Sequence, residues 1–209
     1  MMKICEVTPD QKGIINAVVE IHLATFTGFF LTFMGRGFLR QMYRSYCDHA
    51  PSGLLVALDE QQEPIGFLAY SADMSGLYKF MIKKRLIPFA WYSLGAFFRK
   101  PKVFMRLIRA FLKPGESARE DAYVELASIG VKPNIKSKGV GSQLITALKD
   151  RVDFTKYAYI NLETDAVNNE GANHFYVKNG FVLERSFETH EGRKMNEYRY
   201  VPVPVTIEG

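Results

Sequence analysis

Three features of the sequence predict an α/β domain built on a mixed, largely antiparallel central sheet flanked by helices. An apolar run with strand character begins near Ala122 and closes at Ile129-Gly130-Val131, and from Gly141 onward Leu144, Ile145, Leu148 and Val152 recur at helical spacing. Gly53 to Leu58 and Ile65 to Tyr70 are short apolar runs separated by a polar turn and read as an antiparallel hairpin, and Phe181 to Thr189 with Met195 to Val201 read as a final hairpin. Ala172, Phe175 and Tyr176 share one helical face that stops at Gly180. A chain of 209 residues can bury one substantial core, so residues 1–209 are read as a single domain.

In chain order, Thr8-Pro9-Asp10-Gln11 predicts a helix start, with Thr8 as cap, Pro9 in the first helical position and Gln11 closing a capping box. Ile14, Ile15, Val18, Val19 and His22 then form an apolar stripe to about Ala24, on which His22 reads as a packing residue. After Thr27-Gly28-Phe29-Phe30-Leu31 a second helix carries Phe38, Leu39, Met42, Tyr43 and Tyr46. The first hairpin follows. Beyond the central strand and helix, Tyr157 to Glu163 reads as a fifth strand interrupted by Asn161, and Glu191-Gly192 turns the last hairpin.

Charge is unevenly placed. From Met74 to Lys113 there are ten basic residues and no acidic one, while the rest of the chain carries 17 basic against 22 acidic residues. Pro88, Pro101 and Pro114 punctuate this segment, each expected to end a helix, and a helical insertion is predicted at about 76–114. Its longest uncharged stretch, Leu86 to Phe98, is shorter than the about 20 apolar residues that cross a bilayer. Three roles compete for it: a flap packed on the domain or across a homodimer, a cover whose cations meet an anionic acceptor, and shallow docking on an anionic membrane. Nucleic acid is not expected, because the aromatics sit among large aliphatics.

The two cysteines, Cys5 and Cys47, are read as incidental thiols of a reduced cytoplasmic protein, and Met1 to Glu6 leads into polar residues without an apolar signal core. No metal-ligand spacing occurs.

Between the central strand and its helix lies Lys136-Ser137-Lys138-Gly139-Val140-Gly141-Ser142. Glycine lets backbone approach a bulky anion, and the first turn of a helix presents unpaired N–H groups at the positive end of its dipole. A plain tight turn gives the same pattern. The third glycine of a dinucleotide fingerprint and the Gly-Lys-Ser/Thr ending of a P-loop are both missing.

A second signal decides between these readings. Val131-Lys132-Pro133 followed by Lys136-Ser137-Lys138-Gly139-Val140-Gly141, and about thirty residues later Asn169, Ala172, Phe175, Tyr176, Lys178, Gly180 and Phe181, resemble the pyrophosphate motif and the later helix motif of the GNAT superfamily of acetyl-CoA-dependent N-acetyltransferases. Lys136 stands where that family usually has Arg or Gln. The resemblance covers roughly Ala122 to Val201 and is weaker in the first half.

The resemblance implies acetyl-CoA as donor and direct attack by a primary amine, with no covalent enzyme intermediate. Backbone N–H groups of Lys138, Gly139, Val140, Gly141 and Ser142 would bind the diphosphate, with Lys136 or Lys138 adding charge beside Ser137. Strand edges at Ile129 and Val131 would take the pantetheine arm and polarise the thioester carbonyl, and Asn169 would bond that arm or cap its helix. Tyr176 is the expected acid, a phenol of ordinary pKa about 10 set near the sulfur; packing on the sheet is its competing role. Glu125, six residues before Val131, is the expected base, with Glu163 and Asp165 in reserve and a water chain as the alternative. Phe29, Phe30, Arg193 and Asn196 are expected at the acceptor, against roles in packing and sheet pairing. The basic segment favours an anionic acceptor such as an amino sugar linked to a nucleotide; a polyamine or protein amine is the enzymatic alternative, and a noncatalytic acyl-CoA sensor or membrane-associated scaffold the other class.

Overall fold

A computed structural model describes residues 2–27, 30–99, 101, 121–135, 139–189 and 192–202. The elements run β1 (Lys3–Glu6), α1 (Lys12–Thr25), α2 (Phe30–Met34), α3 (Arg36–Asp48), β2 (Ser52–Leu58), β3 (Pro64–Ser71), α4 (Met74–Arg99), β4 (Tyr123–Val131), α5 (Val140–Lys149), β5 (Tyr159–Asp165), α6 (Glu170–Lys178), β6 (Val182–Glu188) and β7 (Lys194–Tyr200), with a 3-10 turn at Pro133–Ile135. They form one seven-stranded sheet in the order β1-β2-β3-β4-β5-β7-β6. Every pairing is antiparallel except β4 with β5. The mixed, mostly antiparallel sheet flanked by helices agrees with the sequence.

Side chains of a strand alternate between its two faces, and here both faces are covered. Leu54, Val56, Phe67 and Ala69 pack with Ile15, Val18, Leu39, Tyr43 and Leu77 from the helices on one side. Leu55, Ala57, Leu68, Val124 and Leu162 pack with Val140, Leu144, Ile145, Leu148 and Tyr176 on the other. That two-sided cover explains why β2 reads as a continuous apolar run rather than an alternating one.

Three boundaries differ from expectation. Helix α1 begins at Lys12 rather than Pro9. The Gln11 side chain does accept from the Thr8 N–H at 3.0 Å, as a capping box requires, but the intervening residues form a turn in which Lys12 N–H donates to the Asp10 carbonyl at 2.8 Å. Strand β5 starts at Tyr159 because Lys156 and Tyr157 are held in a turn by the Asp153 carbonyl, and sheet pairing begins with Ala158 N–H donating to Ala122. The helix end expected at Pro88 falls three residues earlier. Proline cannot donate to the carbonyl four residues back and crowds it, so the chain breaks at Arg85 (φ −135°, ψ 19°) and Pro88 falls in the first turn beyond. Arg85 is anchored there by Asp48 and by Gln41, 2.9 Å away. Helix α4 lies between β3 and β4; Lys100, Pro114 and the rest of 102–120 lie outside the described residues.

Candidate active site

Strands β4 and β5 pair only at Tyr123–Tyr159, Val124–Ile160 and Glu125–Asn161. Beyond that rung β4 continues along β3 to Val131, whereas β5 continues along β7 to Asp165. A wedge opens between them. Lys132 N–H donates to Ile65 of β3 at 2.9 Å, so by strand alternation the backbone groups of Ile129 and Val131 face the wedge. The Val131 carbonyl accepts from the Thr25 hydroxyl at 3.2 Å; its N–H points to the open side. A bulge between Ala69 and Tyr70 in the β3–β4 register leaves Ala127 without a partner across β3.

Helix α5 starts at the top of this wedge. Its N-cap, Gly139, is left-handed (φ 78°) and makes no side-chain cap bond, and an added Cβ there would meet nothing within 4 Å. Gln143 N–H is the first to bond back, to Gly139 at 3.0 Å, so the N–H groups of Val140, Gly141 and Ser142 have no helical acceptor. Three free amides at the positive end of a helix suit a diphosphate, and the open β4 edge suits an amide-bearing arm. Gly141 is needed for a separate reason, since a Cβ there would lie 2.9 Å from the Phe175 ring and would keep α6 from closing on α5. The Val140 side chain is core. Lys136, Ser137 and Lys138 lie outside the described residues.

On the other side of the sheet the wedge leads into a cleft of about 280 Å³. Met42, Met74, Met81 and Met195 give it a deformable apolar wall, and Tyr46, Tyr78, Glu125 and Glu163 supply its polar groups. Among the described residues no lysine or arginine lines it. Glu125 Oε2 accepts from Asn161 Nδ2 at 2.9 Å, while Asn161 Oδ1 is buried without a hydrogen-bond partner at the apex of the wedge. Burial first, then the nearby carboxylates, pushes the Tyr78 phenol up to about 12, and burial also raises Tyr46. Both phenols are neutral donors at physiological pH.

Tyr176 lies on α6, nearly buried, with its ring 5.4 Å from Phe175 and 6.0 Å from both Phe181 and Tyr198. Burial pushes its phenol up to about 12. Asn169 occupies the N-cap of α6, but its side chain does not cap: Nδ2 donates to Thr164 Oγ1 at 2.8 Å and to the Asp165 carbonyl, tying the helix to the end of β5. Arg193 pairs with Asp165 at 2.7 Å. Asn196 donates to Asn173 at 2.9 Å and accepts from Ser186, on the face opposite Met195. Neither Arg193 nor Asn196 is among the cleft-lining residues, and Met195 takes the place expected of Asn196. Phe29 and the side chain of Phe30 lie outside the described residues, although their neighbour Leu31 lines the cleft. Sequence reasoning assigns no role at the site to Asn161 or Tyr78; a lone amide inside an apolar strand is the available signal for the first.

Among the described residues no group of His, Cys, Asp and Glu is arranged to hold a metal ion, and no helix is long and apolar enough to cross a membrane. Cys5 and Cys47 are both free thiols.

The fold is similar to that of several solved acetyltransferases. A Bacillus cereus acetyltransferase of the GNAT family superposes with a TM-score of 0.59 at 13% identity, covering 97% of this chain and 99% of that one. A GNAT-family protein from Desulfovibrio desulfuricans gives 0.59 at 15% identity over 96% and 99%. NAA60 of Arabidopsis thaliana, crystallised with acetyl-CoA, gives 0.57 at 14% identity over 96% and 98%. No curated protein matches the sequence. The model of the acetyltransferase (GNAT) family matches residues 15–181, from the first helix through the wedge to the close of α6, and the chain therefore belongs to this family of acetyl-CoA-dependent acyltransferases.

Proposed function

We propose that the chain acetylates a primary amine carried on a cationic, largely apolar acceptor, a polyamine or a protein amine, by direct attack on the thioester. The observation that carries this reading is the cleft below the wedge, with two carboxylates, two neutral phenols, a methionine wall and, among the described residues, no lining cation. Such a lining attracts an ammonium group and repels phosphate. Bound acetyl-CoA supplies the activated acyl group. The N–H groups of Val140, Gly141 and Ser142 hold its diphosphate, and the Ile129–Val131 edge holds its arm. Glu125 accepts the ammonium proton, directly or through water, and the freed nitrogen attacks the acyl carbon as the carbon–sulfur bond breaks. Tyr176 hydrogen-bonds the departing sulfur. Burial keeps that phenol protonated but also makes it a weaker acid, so donation of the hydrogen bond precedes transfer of the proton.

One observation favours a second acceptor. Tyr78 lines the cleft while Lys79 beside it is exposed on α4, so an amino sugar linked to a nucleotide could reach in with its amine and leave its phosphates outside. Thiol release from acetyl-CoA over a panel of diamines, peptide amines and nucleotide-linked amino sugars tests both readings. Turnover with cationic amines that collapses in Tyr176→Phe supports the first; preference for the anionic sugar supports the second; coenzyme A binding with no turnover on any amine overturns both.

A further inference from the structure

Helix α4 carries a surface that acetyl transfer does not use. Beyond the break at Arg85, Ile87, Trp91, Leu94 and Phe98 recur at steps of four, three and four, which sets them on one stripe. They are 81%, 70%, 45% and 77% exposed. The opposite face is engaged with the protein: Phe89 meets Phe38 at 4.8 Å and Ser93 is buried. The helix thus lies flat on the domain with its apolar stripe outward. Lys79, Lys83 and Lys84 are exposed just before the stripe, and Met74 to Arg99 contains no acidic residue.

We propose that this half of α4 seats on an anionic lipid surface, independently of the acetyl-transfer reading. Charge complementarity selects the occupant. A stripe of aliphatic and aromatic side chains bordered by lysines matches the boundary between acyl chains and headgroups, where the rings bury shallowly and the cations stay among phosphates. The contact is peripheral, since no helix among the described residues is long and apolar enough to cross a membrane. Because Met74, Tyr78 and Met81 of the same helix line the cleft, seating α4 brings the acceptor entrance close to the membrane plane.

Trp91 is the one tryptophan of the chain and reports on the contact directly. The full chain is mixed with vesicles of equal parts phosphatidylcholine and phosphatidylglycerol, and separately with pure phosphatidylcholine. The proposal expects Trp91 emission to shift to the blue and to be quenched by brominated acyl chains only in the anionic vesicles, with release at high salt. Lys83→Ala with Lys84→Ala, which retains the reporter, lowers the partition coefficient about thirtyfold, at about 1 kcal/mol per lysine. Circular dichroism and coenzyme A binding confirm that this variant is folded. Unchanged Trp91 emission on anionic vesicles overturns the proposal, as does equal partition onto neutral ones. Emission already blue-shifted without lipid, together with a dimer in sedimentation, overturns it in favour of a second copy on the stripe.

Discussion

Glu125 and Asn161 face each other across the last rung joining β4 to β5, with the Asn161 amide donating to the carboxylate at 2.9 Å. The rung therefore both ends the pairing and fixes the carboxylate at the apex of the wedge. Glu125→Gln is expected to lower kcat/KM about a hundredfold or more. Asn161→Ala retains the base but loses the donor that orients it, so a smaller loss of about tenfold is expected. Steady-state rates of the two variants check that order; a Glu125→Gln variant as active as the wild type removes Glu125 as base.

Glu163 lines the same cleft but is exposed, and an ion pair in that setting contributes at most about 1 kcal/mol. Glu163→Gln is accordingly expected to raise KM for a diamine about fivefold or less and to leave kcat unchanged, the signature of lost ground-state binding. A monoamine of the same length should show a smaller change. Initial-rate kinetics with both acceptors check the difference.

Much of this architecture is legible in the chain because its signals are local. Periodicity sets β4, α5 and both hairpins, and Gly180 (φ 81°) marks the end of α6 through a conformation that glycine adopts freely. Long-range effects are not legible. Pro88 breaks the helix locally, but the anchoring of Arg85 at that break depends on Asp48 and Gln41, which reach it only through α3 packing on α4. The cations of the basic segment point to an anionic acceptor, yet the lysines of α4 face solvent and the cleft is lined with carboxylates from β4 and β5. Sign of charge is visible in a sequence; the side of the helix it faces is decided by burial of Leu77, Met81 and Phe89.

Two glycines of one motif answer to different causes, and substitution should separate them. Gly139→Ala places a Cβ in open space but in a left-handed conformation, costing about 1–2 kcal/mol without blocking the amides. Gly139→Glu adds a negative charge beside the free N–H groups and is expected to weaken coenzyme A binding well beyond the alanine variant. Gly141→Ala presses on the Phe175 ring at 2.9 Å and is expected to cost stability by about 1–3 kcal/mol through overpacking. Thermal melts with and without coenzyme A, and calorimetric titration of it, read these effects apart. Equal affinity in Gly139→Glu and wild type would remove the helix terminus from the donor site.

The buried pair of His22 and Tyr43 gives the fold a pH dependence of predictable sign. His22 Nδ1 lies 2.7 Å from the Tyr43 hydroxyl, Nε2 is buried without a hydrogen-bond partner, and the ring is otherwise surrounded by Phe26 and Phe67. No carboxylate appears among these contacts to hold a proton on the ring. Burial lowers its pKa from 6.5 to about 4. The unfolded chain therefore binds a proton between those values that the folded chain refuses, so stability is complete above about pH 6.5 and falls as pH drops toward 4. At 1.36 kcal/mol per unit the loss amounts to roughly 3 kcal/mol. Urea denaturation at a series of pH values should show this slope in the wild type. His22→Gln is expected to be less stable at neutral pH, where the Tyr43 contact is altered, yet flatter across the same window because nothing at that position titrates; an identical slope in both proteins would assign the acid sensitivity to other groups.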